Sequence, residues 1–190
     1  MIHFNLGKAW FVQGALELAI EHFRRAIDLD PEFADAHHTL GHALLASGRL
    51  EEGWREYQWR WRAKRFHVPP RDFAIPRWRG ESLAGKRILV WSEQGVGDKL
   101  LFAGLLPELA RAAAACTMEI EQRLVPLFRR SFPQIDVVAR HDPLDPGLTH
   151  ATFDVQLPLG DLPLLLRPNI ASFRPLGSYL KGDPALTNEL

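Results

Sequence analysis

The chain has 190 residues, 46% of them hydrophobic, and its 23 Lys and Arg balance 23 Asp and Glu to a formal charge of zero. That length buries a core and fits one or two small globular domains, and the neutral total removes any argument from bulk charge for a nucleic-acid or anionic-membrane partner. No apolar run approaches the roughly 20 residues of a membrane helix, and Met1-Ile2-His3-Phe4-Asn5 has no basic segment ahead of an apolar one, so the expectation is a cytoplasmic chain without a transmembrane segment. Cys116 is the sole cysteine, which excludes intrachain disulfides and cysteine-based zinc sites. Its run, Ala113-Ala114-Ala115-Cys116, reads as a small buried hydrophobe.

The N-terminal third repeats itself every 34 residues. Leu6 and Gly7 recur as Leu40 and Gly41, Gly14 as Gly48, Leu16-Glu17 as Leu50-Glu51, and Phe23 is matched by Tyr57. The small residues Gly7, Ala19, Gly41 and Gly53 let paired helices approach, the large ones fill between them, Gly14 and Gly48 mark turns, and Asp30-Pro31 stops a helix. His3-x-x-Leu6-Gly7-x-x-Trp10 with Ala19-x-x-x-Phe23, Ala26 and Pro31, followed by His37-x-x-Leu40-Gly41-x-x-Leu44 with Gly53-x-x-x-Tyr57, resembles two tetratricopeptide repeats. Two such units need something further to cover the open end.

Residues 54–80 hold four of the six tryptophans, eight basic and two acidic side chains, a local charge of +6 inside the neutral total. This basic, aromatic collar begins as the end of the last repeat helix, and Pro69-Pro70 and Pro76 turn it into an extended connection. Arginines interleaved with tryptophans suit nucleic acid. Capping of the open repeat by Trp54, Tyr57 and Trp61, with arginines paired to acidic neighbours, outweighs that reading, and a nucleic-acid partner is not expected.

From Arg87 onward strands alternate with helices. The pattern predicts strands at Arg87–Trp91, Thr117–Glu121, Ile135–Val138 and Thr152–Leu157, a helix over Lys99–Ala115 and a shorter one over Gln122–Phe132, hence a parallel sheet with right-handed crossovers. Residues 158–190, rich in Pro and Leu, carry little pattern. Between the first strand and its helix lies Glu93-Gln94-Gly95-Val96-Gly97-Asp98, at the sheet edge where ligands bind and where helix-start amides favour anions. A dinucleotide fingerprint needs a third Gly or Ala where Leu100 stands, so a nicotinamide enzyme is not the expectation. A plain tight turn with Asp98 favoured by the helix dipole is the alternative.

The stretch Arg87–Asp98 with Phe102 and Leu106-Pro107-Glu108-Leu109 resembles the first strand, loop and helix of the lipopolysaccharide heptosyltransferase-like glycosyltransferases, family 9, and more closely the bacterial proteins in which tetratricopeptide repeats precede such a domain. Tyr57-x-Trp59-Arg60-Trp61, Pro76-x-Trp78-x-Gly80 and Leu83-x-Gly85-Lys86 resemble the join. The resemblance implies an α + α/β chain: repeats over 1–66, a basic aromatic linker over 67–82, and over 83–190 a Rossmann-like domain equivalent to the acceptor-side half of a GT-B enzyme. It implies Asp98 as general base toward an acceptor hydroxyl, with Gln94, Gly95 and Gly97 binding substrate or anion. About 110 residues follow the collar, room for one half. Lys181-Gly182-Asp183-Pro184 resembles the approach to a donor-binding half, so a sugar acceptor is expected here and a nucleotide-sugar donor only where a second half is supplied.

The concave face of such repeats binds extended peptide segments, and by position it is lined here by Asn5, Lys8, Phe11 and Val12 with His38, Thr39, His42 and Leu45. Asn5, Lys8, His38 and His42 are the expected peptide contacts. His38 and His42 stand one helical turn apart, as a metal chelate would, but no third ligand is identifiable, and no metal or other cofactor is expected. The sequence therefore supports a glycosyltransferase-like protein, not active by itself, or a non-catalytic scaffold that holds a protein or peptide partner.

Overall fold

The structure, a computed structural model, describes residues 1–64, 66, 68, 71–148, 152–175 and 177–187. The Pro69-Pro70 break lies outside the described residues. The chain divides into two units, Met1–Pro70 with Leu166–Phe173, and Arg71–Leu165 with Arg174–Leu190.

In the first unit the 34-residue period becomes two helical hairpins: α1 (Ile2–Val12) with α2 (Leu16–Leu29), and α3 (Ala34–Ala46) with α4 (Leu50–Tyr57). The first helix of each hairpin ends in the same hydrogen bonds. Gly14 N–H donates to Phe11 O and Ala15 N–H to Trp10 O; 34 residues on, Gly48 N–H donates to Leu45 O and Arg49 N–H to Leu44 O. Both glycines hold φ near +80°, the left-handed conformation that closes such a helix end and that a side chain resists. The close approach of each hairpin rests on another glycine pair. A Cβ on Gly7 would lie 2.7 Å from the Phe23 ring, and one on Gly41 2.8 Å from the backbone nitrogen of Tyr57. Ala19, Ile20, Phe23, Leu40, Ala43 and Leu44 form the core, with Phe4, Trp10, Phe11 and Ile27 against it.

The second hairpin departs from the first where α2 carries buried Ala26. The equivalent residue is Arg60, fully buried, its guanidinium 4.9 Å from the Tyr57 ring centroid and 4.6 Å from that of Trp61. After Tyr57 the chain tightens into a 3-10 helix over Gln58–Arg62, with Arg60 its buried residue. His37 is stacked on Trp59 and flanked by acceptors, Glu56 Oε2 at 2.5 Å from Nδ1 and Pro31 O at 3.0 Å from Nε2. Trp54 Nε1–H donates to Arg167 O, tying residues 166–173 to the helices.

The second unit is a four-stranded, wholly parallel sheet in the order β3-β2-β1-β4, made of β1 (Arg87–Trp91), β2 (Ala115–Ile120), β3 (Asp136–Ala139) and β4 (Val155–Pro158). Consecutive residues Ile88, Leu89 and Val90 are all fully buried, as a parallel strand covered on both faces requires. The crossover from β1 to β2 contains two helices, α5 (Val96–Ala103) and α6 (Leu106–Ala112), where the sequence pattern predicted one. Pro107, in the first turn of α6, has no N–H and its ring displaces the carbonyl four residues back, so the axis breaks at Gly104-Leu105. Leu105 and Leu109 stay buried, but Leu101, expected on the same stripe, is exposed. A 3-10 turn (Gln122–Leu124) and α7 (Val125–Ser131) lead to β3, and α8 (Leu162–Leu166) and α9 (Pro184–Thr187) follow β4. The later part of the collar pairs with β4: Gln156 N–H donates to Pro76 O and Trp78 N–H to Gln156 O, covering an edge that would otherwise be open.

Candidate functional site

In the first unit, α1 and α3 enclose a cleft of about 280 Å³ lined by Phe4, Lys8, Phe11, Val12, Asp35, His38, Thr39 and His42. Helical spacing delivers these groups: Phe4, Lys8 and Phe11 share one face of α1, and Asp35, His38 and His42 one face of α3. Lys8 Nζ sits 5.5 Å from the Phe4 ring centroid. Thr39 donates its hydroxyl to Asp35 O. Asn5 is exposed on α1 and is not among the lining residues, and Leu45 is half-buried with its side chain against Gly53.

His38 and His42 face each other with Nε2 atoms 3.2 Å apart, so one ring donates to the other. Burial, then the neighbouring His42, then the Arg60 guanidinium pull the His38 pKa down to about 4. The His38 ring is therefore neutral at physiological pH and fixed against the Tyr57 ring, 5.5 Å between centroids. Among the described residues no group of three or more His, Cys, Asp or Glu side chains is placed to hold a metal ion.

In the second unit the residues following β1 lie at the C-terminal edge of the sheet. Gly95 is the N-cap of α5, so Val96, Gly97 and Asp98 form its first turn, with Asp98 exposed. A Cβ on Gly97 would meet nothing within 4 Å, and one on Gly95 only Asp98 Oδ2 at 3.5 Å. Gln94 donates to Glu93 Oε1 at 3.2 Å. Glu93 itself is buried and accepts the Gly160 amide at 3.1 Å, a contact that leaves no room for a side chain at residue 160.

Beside this loop lie three ion pairs, each with a buried member, that sequence reasoning missed. Lys99 pairs with Glu121, Arg71 with Glu119 at 2.6 Å, and Arg77 with Asp161, while Arg140 donates to Ser92 O. Glu119 is fully buried, and burial pushes its pKa up to about 7 against the pull of Arg71 and Arg140. The available signal was the sequence Thr117-Met118-Glu119-Ile120-Glu121, which puts carboxylates inside a strand of a sheet covered on both faces. In the repeats, Phe4 and Asp35 were missed as lining residues although each lies one helical position or turn from a residue that was named. Of the described collar arginines, Arg55 pairs with Glu51 and Arg62 with Glu32, Arg60 is buried under rings, and Arg71 and Arg77 pair within the sheet unit.

Among the described residues no helix is long and apolar enough to cross a membrane. The TPR repeat family model matches residues 7–48. Protein FlbA of Caulobacter vibrioides is 35% identical over 156 residues, covering 75% of this chain and 26% of FlbA, a stretch too long to be confined to the helical unit. The small glutamine-rich tetratricopeptide repeat-containing protein 2 of Mycosarcoma maydis is 40% identical over 58 residues, 30% of this chain and 16% of that protein. The chain thus spans about a quarter of the first relative and about a sixth of the second. Matched by sequence across the α1–α3 region and by two hairpins at a 34-residue spacing, the N-terminal unit is a tetratricopeptide-repeat unit, followed by a small parallel α/β unit.

Proposed function

We propose that this protein captures an extended segment of a partner protein in the cleft between α1 and α3. The observation that carries the reading is the lining of that cleft, an apolar surface of Phe4, Phe11 and Val12 with Lys8, Asp35 and His42 around it. An extended segment presents alternate side chains to one face, so apolar ones enter while its backbone meets polar groups. The neutral His38 ring adds polar surface to the lining without charge. Peptides of about 12 residues selected on the purified chain test this, with affinities read by fluorescence polarisation. Lys8→Ala and Val12→Asp are expected to weaken binding at least tenfold, about 1.4 kcal/mol, at unchanged Tm. Val12 is 86% exposed, so its replacement leaves the fold intact. Affinities indifferent to both changes would contradict the reading.

A second reading takes the sheet unit as the acceptor-side half of a family 9-like glycosyltransferase, with Asp98 as general base and Gln94, Gly95 and Gly97 orienting acceptor or anion. Its support is the parallel 3-2-1-4 strand order, the open space at both glycines and the exposed carboxylate in the first turn of α5. A carboxylate so exposed takes a proton from an acceptor hydroxyl only once substrate excludes water from it. In a polypeptide that also carries a donor-binding half, Asp98→Asn is expected to abolish sugar transfer at unchanged Tm; normal transfer by that variant would remove the reading.

A further inference from the structure

The first turn of α1 carries a histidine that meets a second one across the hairpin. His3 and His22 stand 19 residues apart in sequence, yet their Nδ1 atoms lie 3.0 Å apart, with the rings stacked at 5.3 Å between centroids. Both side chains are half-buried, so the hairpin holds the pair while solvent still reaches it. Gly7, one turn on from His3, packs against Phe23, the neighbour of His22, where a Cβ would lie 2.7 Å from the ring. That close approach fixes the separation of the two backbones and, with it, the placement of the two imidazoles.

The 34-residue period supplies a comparison inside the chain itself. The same two positions in the second hairpin are His37 and Glu56, a ring and a carboxylate 2.5 Å apart, and the other nitrogen of His37 faces Pro31 O. There each ring nitrogen has an oxygen acceptor. At positions 3 and 22 both partners are imidazoles, and one Nδ1 proton serves the two rings. With that proton on Nε2 instead, both rings remain neutral and two Nδ1 lone pairs converge on one point. Zinc binds imidazole nitrogen at about 2.0–2.1 Å, so two nitrogens at this spacing both reach one ion, at an angle of about 95°.

We infer that His3 and His22 form a bidentate site for a divalent transition-metal ion of the zinc class, which clips α1 to α2. Imidazole suits such ions, water fills the remaining positions, and no proton need leave the protein. Two protein ligands, against the four of a structural zinc site, make an exchangeable clip and not a requirement for folding. The clip fastens the first turn of the helix whose Phe4, Lys8 and Phe11 form one wall of the cleft. His38 and His42 have a similar spacing, 3.2 Å between Nε2 atoms, but both belong to α3, so an ion held there ties no two helices together. The clip does not depend on the peptide reading.

Equilibrium dialysis of the 190-residue chain against zinc chloride, with thermal melts at about 0.5 mM zinc, tests this. Zinc is expected to raise the Tm by at least about 2 °C. His3→Gln and His22→Gln are each expected to abolish that gain and to bind one zinc ion fewer, while His42→Gln keeps the gain. Dialysis at 25 °C, where every variant is folded, keeps the comparison valid if either substitution lowers the Tm without metal. The inference is overturned if zinc binding and Tm gain are the same in the unaltered chain and in His22→Gln. It is also overturned if His3→Gln loses the ion and His22→Gln keeps it, which assigns the ion to His3 and the amino group at the start of the purified chain.

Discussion

Two titratable side chains, half-buried His38 and fully buried Glu119, act on stability in opposite directions. His38, held down to about 4, contributes stability that is fully present above its unfolded value near 6.5 and is lost as pH falls through 4. Glu119, pushed up to about 7, does the reverse: its contribution is complete below its unfolded value near 4.5 and disappears as pH rises through 7. The two windows overlap, so substitution is needed to separate them. His38→Gln is expected to gain on the wild type as pH is lowered from 7 to 4.5, and Glu119→Gln to gain on it as pH is raised from 5 to 7.5. Melting curves across this range check both, and parallel curves for wild type and variants would contradict the half-buried, neutral His38 and the buried Glu119.

Elements are set here by small residues at close approaches. Gly41→Ala adds a Cβ 2.8 Å from the Tyr57 nitrogen and 3.1 Å from Gly53 O, both backbone atoms that cannot swing aside, so α3 and α4 must separate. The expected loss is about 1–3 kcal/mol from overpacking, larger than the gain of about 1 kcal/mol in helix propensity. Gly97→Ala, into open space at the start of α5, is expected to leave Tm unchanged or raise it. Thermal melts of the two variants check this, and a neutral Gly41→Ala would show that the hairpin is looser than its geometry. Both hairpins were legible in the sequence because the same residues that pattern the repeat, Gly7 and Phe23 or Gly41 and Tyr57, are the ones that touch. The break between α5 and α6 was not, since the apolar spacing from Leu101 to Leu109 runs through it and only Pro107 signals it. Nor was the end of α4, where Arg60 occupies a position that only its 34-residue offset from Ala26 reveals as a helix-packing site.

At the scale of the whole molecule, composition alone was misleading in one respect. The neutral total conceals a collar of charge +6, and part of that charge is paired within each unit, Arg62 with Glu32 and Arg77 with Asp161. Following the repeats and preceding the sheet in sequence, the collar supplies the last turns of one unit and the edge pairing of the other. The lining of the cleft was legible only by position in the repeat. Helical phase placed Lys8, His38 and His42 on it, but one residue of phase decides between Asn5 and Phe4, and periodicity does not fix phase that finely. The sheet-edge loop was found from its glycines, while the buried carboxylates beside it depend on tertiary burial that no local pattern encodes.

Capture of a partner segment between α1 and α3 is tested most directly by hydrogen exchange of the 190-residue chain with and without a selected peptide at saturation. The account predicts slowed exchange confined to the backbone of α1 and α3, diminished in Val12→Asp at equal peptide concentration. Slowed exchange at Glu93–Lys99 alone, or a bound peptide that leaves α1 and α3 unchanged, would contradict it.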